Sequence, residues 1–138
     1  MVVDTSVLVA ALRSPQGASS LLVQKVMAGQ FRPLVSVPLV LEYEAVLTRP
    51  EHLWVSGFTA QEAVKIVKAF CREGVHVHLA YPLRPQLRDP NDEFVFETAF
   101  HGRADAIVTF NSRDFQAATV LGIAAISPKE ALERMRRL

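Results

Sequence analysis

Four carboxylates stand far apart in this sequence, each beside an apolar segment: Asp4 in "MVVDTSVLVAAL", Glu42 in "VPLVLEYEAVL", Asp92 in "DPNDEFVFETAF" and Asp114 in "TFNSRDF". A buried carboxylate is costly unless it is paired, hydrogen-bonded or bound to a metal. If these carboxylates converge they have no obvious cationic partners, and like charges repel, so a bound cation would resolve the conflict. Oxygen ligands select hard cations, which makes Mg²⁺ or Mn²⁺ the expected ion.

Each carboxylate also has an ordinary structural interpretation. Asp4 fits a strand end satisfied by backbone N–H groups, and Glu42 fits an exposed helix position. Asp92 fits a first-turn acid favoured by the helix dipole, and Asp114 fits a helix N-cap. Glu42 and Glu44 lie about 200° apart on a helix, so only one can face a given edge. Glu42 is preferred because it is nearer the N-terminus of its helix.

Strands and helices alternate along the chain. The predicted strands are "MVVD", "RPLVSV", "VHVHLA", "DAIVTF" and "GIAAIS". The predicted helices are Ser19 to Ala28, "PLVLEYEAVLTR" after a first-turn Pro38, "AVKIVKAFCRE" after a Thr59–Glu62 capping box, "NDEFVFETAFHG" after Asp89 and Pro90, and "PKEALERMRRL" opened by Ser127, Pro128 and Glu130. Apolar strands that alternate with helices predict an α/β fold with a parallel sheet covered on both faces.

The predicted sheet has one edge at which these polar residues meet. Ligands of open parallel sheets bind at the carboxyl ends of the strands. Asp4 closes the first strand, and residues 109–114 follow the "AIV" strand. Asp92 lies in the first turn of the preceding helix, and Glu42 lies about one turn into its own helix. We therefore expect the four carboxylates to converge at this edge, with Asn111 beside them.

Length and composition exclude several classes of protein. The 138 residues fit one domain, 1–138, and half of them are hydrophobic, which argues against disorder. No apolar run approaches the ~20 residues that span a bilayer. The net charge of +1 gives no bulk attraction for nucleic acid, so any such binding needs a local arrangement. The single cysteine, Cys71, fits a reducing compartment and predicts a cytoplasmic protein.

The histidines are a weaker signal. His76 and His78 would share one strand face, which two zinc ligands could use, although a polar strand face is the commoner explanation. His52 and His101 are interpreted as loop and helix-end residues. The chain carries no glycine-rich phosphate loop and no serine nucleophile motif.

Four motifs together resemble one family. The segments "VVDTSVLVAAL", "VPLVLEYEAVL", "DPNDEFVFETAFHGRADAIVTFN" and "TFNSRDF" occur in the order and on the elements typical of a PIN domain. The chain resembles the VapC-like toxins of prokaryotic toxin–antitoxin systems over nearly its whole length. The resemblance implies a three-layer Rossmann-like fold with about five parallel strands, a Mg²⁺- or Mn²⁺-dependent endoribonuclease, an RNA substrate and an antitoxin partner.

The resemblance also implies roles for the carboxylates. Asp4 and Asp92 would be the main metal ligands, and Glu42 would be a ligand or would orient the attacking water. Many relatives carry an aspartate two residues after the threonine of "VTFN", where this chain has Asn111. The fourth position is therefore shared between Asn111 and Asp114, which would complete a second ion site or the outer shell.

Supporting roles follow for nearby polar residues. Ser6 and Thr109 would hold a ligand or a phosphate oxygen by hydrogen bonds. Arg13 and Arg113 lie near the site in sequence and would contact the substrate backbone. Asp89 competes with Asp92 for the ligand position, although Asp92 has the better spacing to "FVFETA".

Three further expectations concern the alternatives and assembly. The first alternative is a catalytically inactive PIN-like module that binds RNA or a protein partner. A receiver domain phosphorylated on aspartate is the second, but its phosphoacceptor and lysine positions are not well placed here. A homodimer is predicted from an apolar helix surface, although part of that surface must pack on the sheet; its residues are Ala63, Val64, Val67, Phe70, Leu21 and Leu22.

Overall fold

The computed structural model describes residues 1–79 and 92–137. Within these ranges the strands are β1 (Val2–Val3), β2 (Leu34–Val35), β3 (Val75–His76), β4 (Ala106–Val108) and β5 (Ala124–Ile126). The helices are α1 (Thr5–Arg13), α2 (Ala18–Met27), α3 (Val37–Leu47), α4 (Pro50–Ser56), α5 (Ala60–Arg72), α6 (Asp92–His101), α7 (Gln116–Val120) and α8 (Pro128–Arg136). A 3₁₀ turn at Ser112–Phe115 precedes α7. No helix in the described ranges is both long and apolar enough to cross a bilayer.

The strands pair in parallel throughout. Three strands form a sheet in the order β1-β4-β5, with Val2 of β1 opposite Ile107 of β4. Strands β2 and β3 form a second parallel pair. The Leu34 N–H donates to the Met1 carbonyl at 2.9 Å, which brings β2 beside β1. The resulting order is β3-β2-β1-β4-β5. Strands β2 and β3 extend the sheet on one side of β1, and β4 and β5 extend it on the other side, so the strand order reverses between β1 and β4. Ligands of such sheets bind at this switch point, outside the carboxyl ends of the strands.

The predicted fold class is confirmed: a parallel sheet flanked by helices. The capping boxes at Thr59–Glu62 and Ser127–Glu130 are both present and start α5 and α8 as predicted. Each box satisfies backbone N–H groups that would otherwise lack partners in the first turn. The predicted helix start at Asp89 and Pro90 lies outside the described residues.

Three helices are absent from the sequence prediction: α1, α4 and the short α7. Helix α1 follows β1 at once: Asp4 keeps extended backbone angles and Thr5 begins the helix. Its apolar, partly β-branched sequence carries no separate start signal. Helix α4 does carry signals, because Pro50 occupies its first turn and Gly57 ends it with a φ of 79°. Those are the preferred residues for the two ends of a helix.

The apolar face of α5 packs inward. Ala63, Val67 and Phe70 are fully or almost fully buried, and Leu22 of α2 is also buried. The surface on which the predicted homodimer was based is therefore largely the core of one chain, and Leu21 remains as its well-exposed member. An amphipathic pattern gives the same spacing for a face that packs on its own domain and for one that packs on a partner.

Candidate active site at the carboxyl edge of the sheet

A cleft of about 320 Å³ opens at the carboxyl ends of β1 and β4. Its walls include all four predicted carboxylates and the predicted amide: Asp4, Glu42, Asp92, Asp114 and Asn111. Glu44 is not among the lining residues, as the helical geometry of α3 predicts. The sheet topology thus brings together side chains that are distant in sequence, since Asp4 and Asp114 are 110 residues apart. Their chemical roles remain predictions.

Asp4 is the most deeply buried carboxylate of the cleft. It directly follows β1, and its side chain is 5 % exposed. The hydroxyl of Ser6 donates to Oδ2 at 2.8 Å, and that of Thr109 donates to the same oxygen at 2.7 Å. Burial raises the pKa of Asp4, and the hydrogen bonds from Thr109 and Ser6 oppose that rise. The carboxylate thus loses hydration and gains only neutral donors from the part of the chain that the structure describes.

Thr109 ties the loop after β4 to this carboxylate. It is buried at the end of β4, where its N–H donates to the Ile126 carbonyl at 2.8 Å. Its hydroxyl oxygen accepts from the Asn111 N–H at 2.9 Å while its proton is given to Asp4. The backbone N–H of Asp4 in turn donates to the Val108 carbonyl at 2.9 Å. These bonds fix Asn111 relative to Asp4. The support predicted from Ser6 and Thr109 therefore takes the form of direct hydrogen bonds.

Helix α3, which carries Glu42, is anchored at its N-cap and through one buried side chain. The hydroxyl of Ser36, the N-cap residue, lies 2.6 Å from that of Thr98 on α6. Thr98 donates its own proton to the Phe94 carbonyl, so Ser36 is the donor of the pair. The Tyr43 hydroxyl donates to the Val3 carbonyl of β1. The helix that carries Glu42 is therefore held against β1 and α6, and Glu42 lines the cleft.

The oxygen ligands of the cleft suit a hard cation that takes only a few of its ligands from the protein. The cleft offers carboxylate and amide oxygens. The side-chain donors to the desolvated Asp4 are the neutral hydroxyls of Ser6 and Thr109 within the described residues. Among residues 1–79 and 92–137, no group of three or more His, Cys, Asp or Glu side chains is arranged to hold one metal ion. Mg²⁺ accepts one or two carboxylates and keeps several waters, so the described residues fit that ion. The same finding gives no support for zinc at His76 and His78, which lie outside the cleft.

The predicted substrate arginines differ in their placement. Arg13 does not line the cleft. Its Nη2 donates a hydrogen bond of 3.0 Å to Nδ1 of His52, and His52 does line the cleft. Arg113 is exposed in the 3₁₀ turn and does not line the cleft. The turn directs Asp114 rather than Arg113 to the cleft wall, and a contact between Arg113 and the substrate stays a prediction.

Sequence reasoning missed both basic side chains that line the cleft among the described residues, Arg49 and His52. His52 was interpreted as a loop residue, but it lies on α4. Recognising Pro50 and Gly57 as the ends of a short helix would have placed it correctly. That these residues reach the cleft depends on how α4 docks beside α1 and α3, which the sequence pattern does not specify.

A family model described as a PIN domain matches residues 1–113. The chain belongs to the PIN domain family. Members of this family are generally nucleases. The match covers Asp4, Glu42, Asp92 and Asn111 and ends one residue before Asp114. Searches of curated proteins and of solved structures found no match to this PIN domain.

We expect Asp4→Asn to leave the fold intact and to stabilise this PIN domain in EDTA. Both hydroxyls donate to one oxygen of Asp4, so an amide oxygen in that place keeps both bonds while the buried charge is lost. The gain should be about 1–2 kcal/mol, because the neutral amide avoids the cost of burying a charge.

The pH dependence follows from the raised pKa of Asp4. The ionisation penalty is absent below the pKa of an unfolded aspartate, about 3.9, and is complete above the folded value. The stabilisation by Asp4→Asn should therefore vanish near pH 3.5 and reach a plateau at higher pH. Thermal melts in EDTA across this range measure it. A variant less stable than wild type at neutral pH would instead assign Asp4 a purely structural role.

Proposed function

We propose that this PIN domain is a Mg²⁺- or Mn²⁺-dependent endoribonuclease that hydrolyses phosphodiester bonds of RNA. The observation that carries the proposal is the convergence of four carboxylates in one cleft, with Asp4 desolvated among neutral donors. Such a site is electrostatically unfavourable when empty and favourable when a divalent cation is bound. The family supports nuclease chemistry, and the chemistry of the donor set supports the choice of ion.

In this proposal the residues of the cleft have separate roles in hydrolysis. A bound divalent cation would supply activation of water and neutralisation of charge on the transferring phosphate. Ser6 and Thr109 fix the Asp4 carboxylate as a ligand, and Asp92 would be the second. Glu42, anchored through α3, would accept a hydrogen bond from the attacking water and hold it in line. Asp114 and Asn111 would complete the outer shell.

The biological role that we propose is that of a toxin with a protein antitoxin. This part of the proposal is supported only by the resemblance of the four motifs to VapC-like toxins. A small antitoxin-like reading frame next to the gene would add independent support.

A second candidate function is an inactive PIN-like module that binds RNA or a protein partner. Two observations favour it. Asn111 stands where many relatives carry an acid, and the described residues hold no ready-made group of three metal ligands. A module of this kind would keep the cleft and its shape while lacking hydrolysis.

Incubation with total cellular RNA and a panel of transfer RNAs separates the two functions. The proposed enzyme should cleave single-stranded RNA, or loops of folded RNA, when Mg²⁺ or Mn²⁺ is present. Phe110, 56 % exposed between Thr109 and Asn111, offers a stacking surface for an unpaired base beside the cleft. Binding to the same RNAs without cleavage at any metal concentration would favour the inactive module.

We also propose that the chain forms a homodimer. Val37 and Leu41, one turn apart on α3, are 67 % and 60 % exposed, and such an apolar pair is suited to an interface. Light scattering at tens of micromolar should give twice the chain mass of 15.3 kDa. A monomeric mass at that concentration contradicts the dimer.

A further inference from the structure

The acidic cleft has a basic side that its catalytic residues do not use. Arg49 and His52 line the cleft together with the carboxylates, and Arg13 contacts His52. We call Arg13, Arg49 and His52 the basic rim. All three come from α1, α4 and the residue that precedes α4, so one corner of the fold supplies them.

The contact between Arg13 and His52 fixes the protonation of the imidazole. A guanidinium can only donate hydrogen bonds, so Nδ1 of His52 must be the acceptor. The ring proton is then on Nε2, and the neutral imidazole keeps one N–H donor for another group. Burial and the positive charge of Arg13 both lower the pKa of His52, in agreement with this neutral form.

The charges of the two rim arginines are not neutralised by carboxylates within the described part of the protein. Among the residues that the structure describes, neither Arg13 nor Arg49 forms an ion pair with a carboxylate; the ion pair seen there joins the Met1 amino group to Asp105. Both arginine side chains are exposed. Two full charges and one imidazole N–H therefore lie beside a cleft whose other ionisable side chains, among the described residues, are carboxylates.

We propose that the basic rim binds a backbone phosphate of the RNA next to the one that is cleaved, and so positions the strand across the carboxylates. This inference rests on the proposed function, since it takes RNA as the occupant of the cleft. The net charge of +1 supplies no overall attraction for RNA, and carboxylates without a bound cation repel phosphate. Binding of a phosphate therefore needs a local cluster of hydrogen-bond donors. Phosphate contacts fix register and orientation without reading sequence, so the rim is a positioning device.

Fluorescence anisotropy with a labelled single-stranded RNA tests the rim. The measurements use the Asp4→Asn background, in which the strand is not hydrolysed. Arg49→Ala and Arg13→Ala should each raise Kd about fivefold or more and lower the salt slope of log Kd by roughly one phosphate contact. His52→Gln, which keeps an amide donor, should bind more tightly than His52→Ala. Arg72→Ala, an exposed arginine at the end of α5, is the matched control and should leave Kd unchanged.

Cleavage of the same RNA in Mg²⁺, by variants with Asp4 intact, separates failure of this inference from failure of the proposed function. If wild type cleaves while Arg13→Ala and Arg49→Ala bind like Arg72→Ala, the rim is overturned and the ribonuclease stands. If wild type does not cleave but the rim variants weaken binding, the rim stands as an RNA interface and the ribonuclease is wrong. Absence of RNA binding in the Asp4→Asn background overturns the rim.

Discussion

Replacing Asp4, Glu42 or Asp92 by alanine is expected to slow RNA cleavage by at least about 100-fold each. Loss of one ligand disturbs both the placement of the ion and the activation of its water. Asp114→Ala should have a smaller effect if Asn111 shares its role. Initial rates on one labelled RNA in excess Mg²⁺ measure the differences.

The control for this series is Glu44→Ala. Glu44 lies on the same helix as Glu42, two residues away, but does not line the cleft. Its replacement should leave the rate within about twofold of wild type. Equal losses for Glu42→Ala and Glu44→Ala would show that α3 had been perturbed as a whole. Undiminished cleavage by Asp4→Ala would mean that the chemistry resides elsewhere.

Tyr43→Ala is expected to destabilise the protein by about 4 kcal/mol, the cost typical of removing a large buried aromatic side chain. Tyr43 is fully buried, and its ring meets Phe70 edge to face at a centroid distance of 6.0 Å. Burial raises the pKa of Tyr43 far above its usual range, so the hydroxyl stays protonated and donates to the Val3 carbonyl. This bond joins α3 to the strand that ends at Asp4.

Tyr43→Phe separates the hydroxyl from the ring. It should cost about 1–2 kcal/mol, because the buried Val3 carbonyl loses its donor while the aromatic packing remains. Lys68→Ala, at an exposed position of α5, should stay within about 0.5 kcal/mol of wild type. Urea unfolding of the three variants gives the free energies. Equal stability of Tyr43→Ala and wild type would contradict the packing around α3.

The acidic half of the site could be located from sequence because it depends on topology alone. A parallel sheet places the residues after β1 and β4 at one edge, and a helical period decides between Glu42 and Glu44. The capping boxes of α5 and α8 are equally local signals, and both are present. The choice of Glu42 and the capping boxes need only the identity of residues a few positions apart, whereas the first inference also needs the prediction that β1 and β4 share a parallel sheet.

The basic half could not be located in this way. Arg49 and His52 reach the cleft through the docking of a seven-residue helix, and that docking depends on packing between elements distant in sequence. The face of α5 was ambiguous for a related reason. Val67 and Phe70 have the spacing of an amphipathic helix, which does not state whether the apolar face meets the same chain or another.

The most direct test of the proposed site is the cleavage rate of one labelled single-stranded RNA while Mg²⁺ is added to protein that has been stripped with EDTA. Wild type should be inactive in EDTA and should gain activity in a saturable way as Mg²⁺ rises. Asp4→Asn, folded under the same conditions, should remain at least about 100-fold slower at every Mg²⁺ concentration, since a neutral amide is a poorer ligand than a carboxylate. Cleavage by wild type that persists in EDTA, or equal rates for wild type and Asp4→Asn, would contradict a metal-dependent ribonuclease site in this cleft.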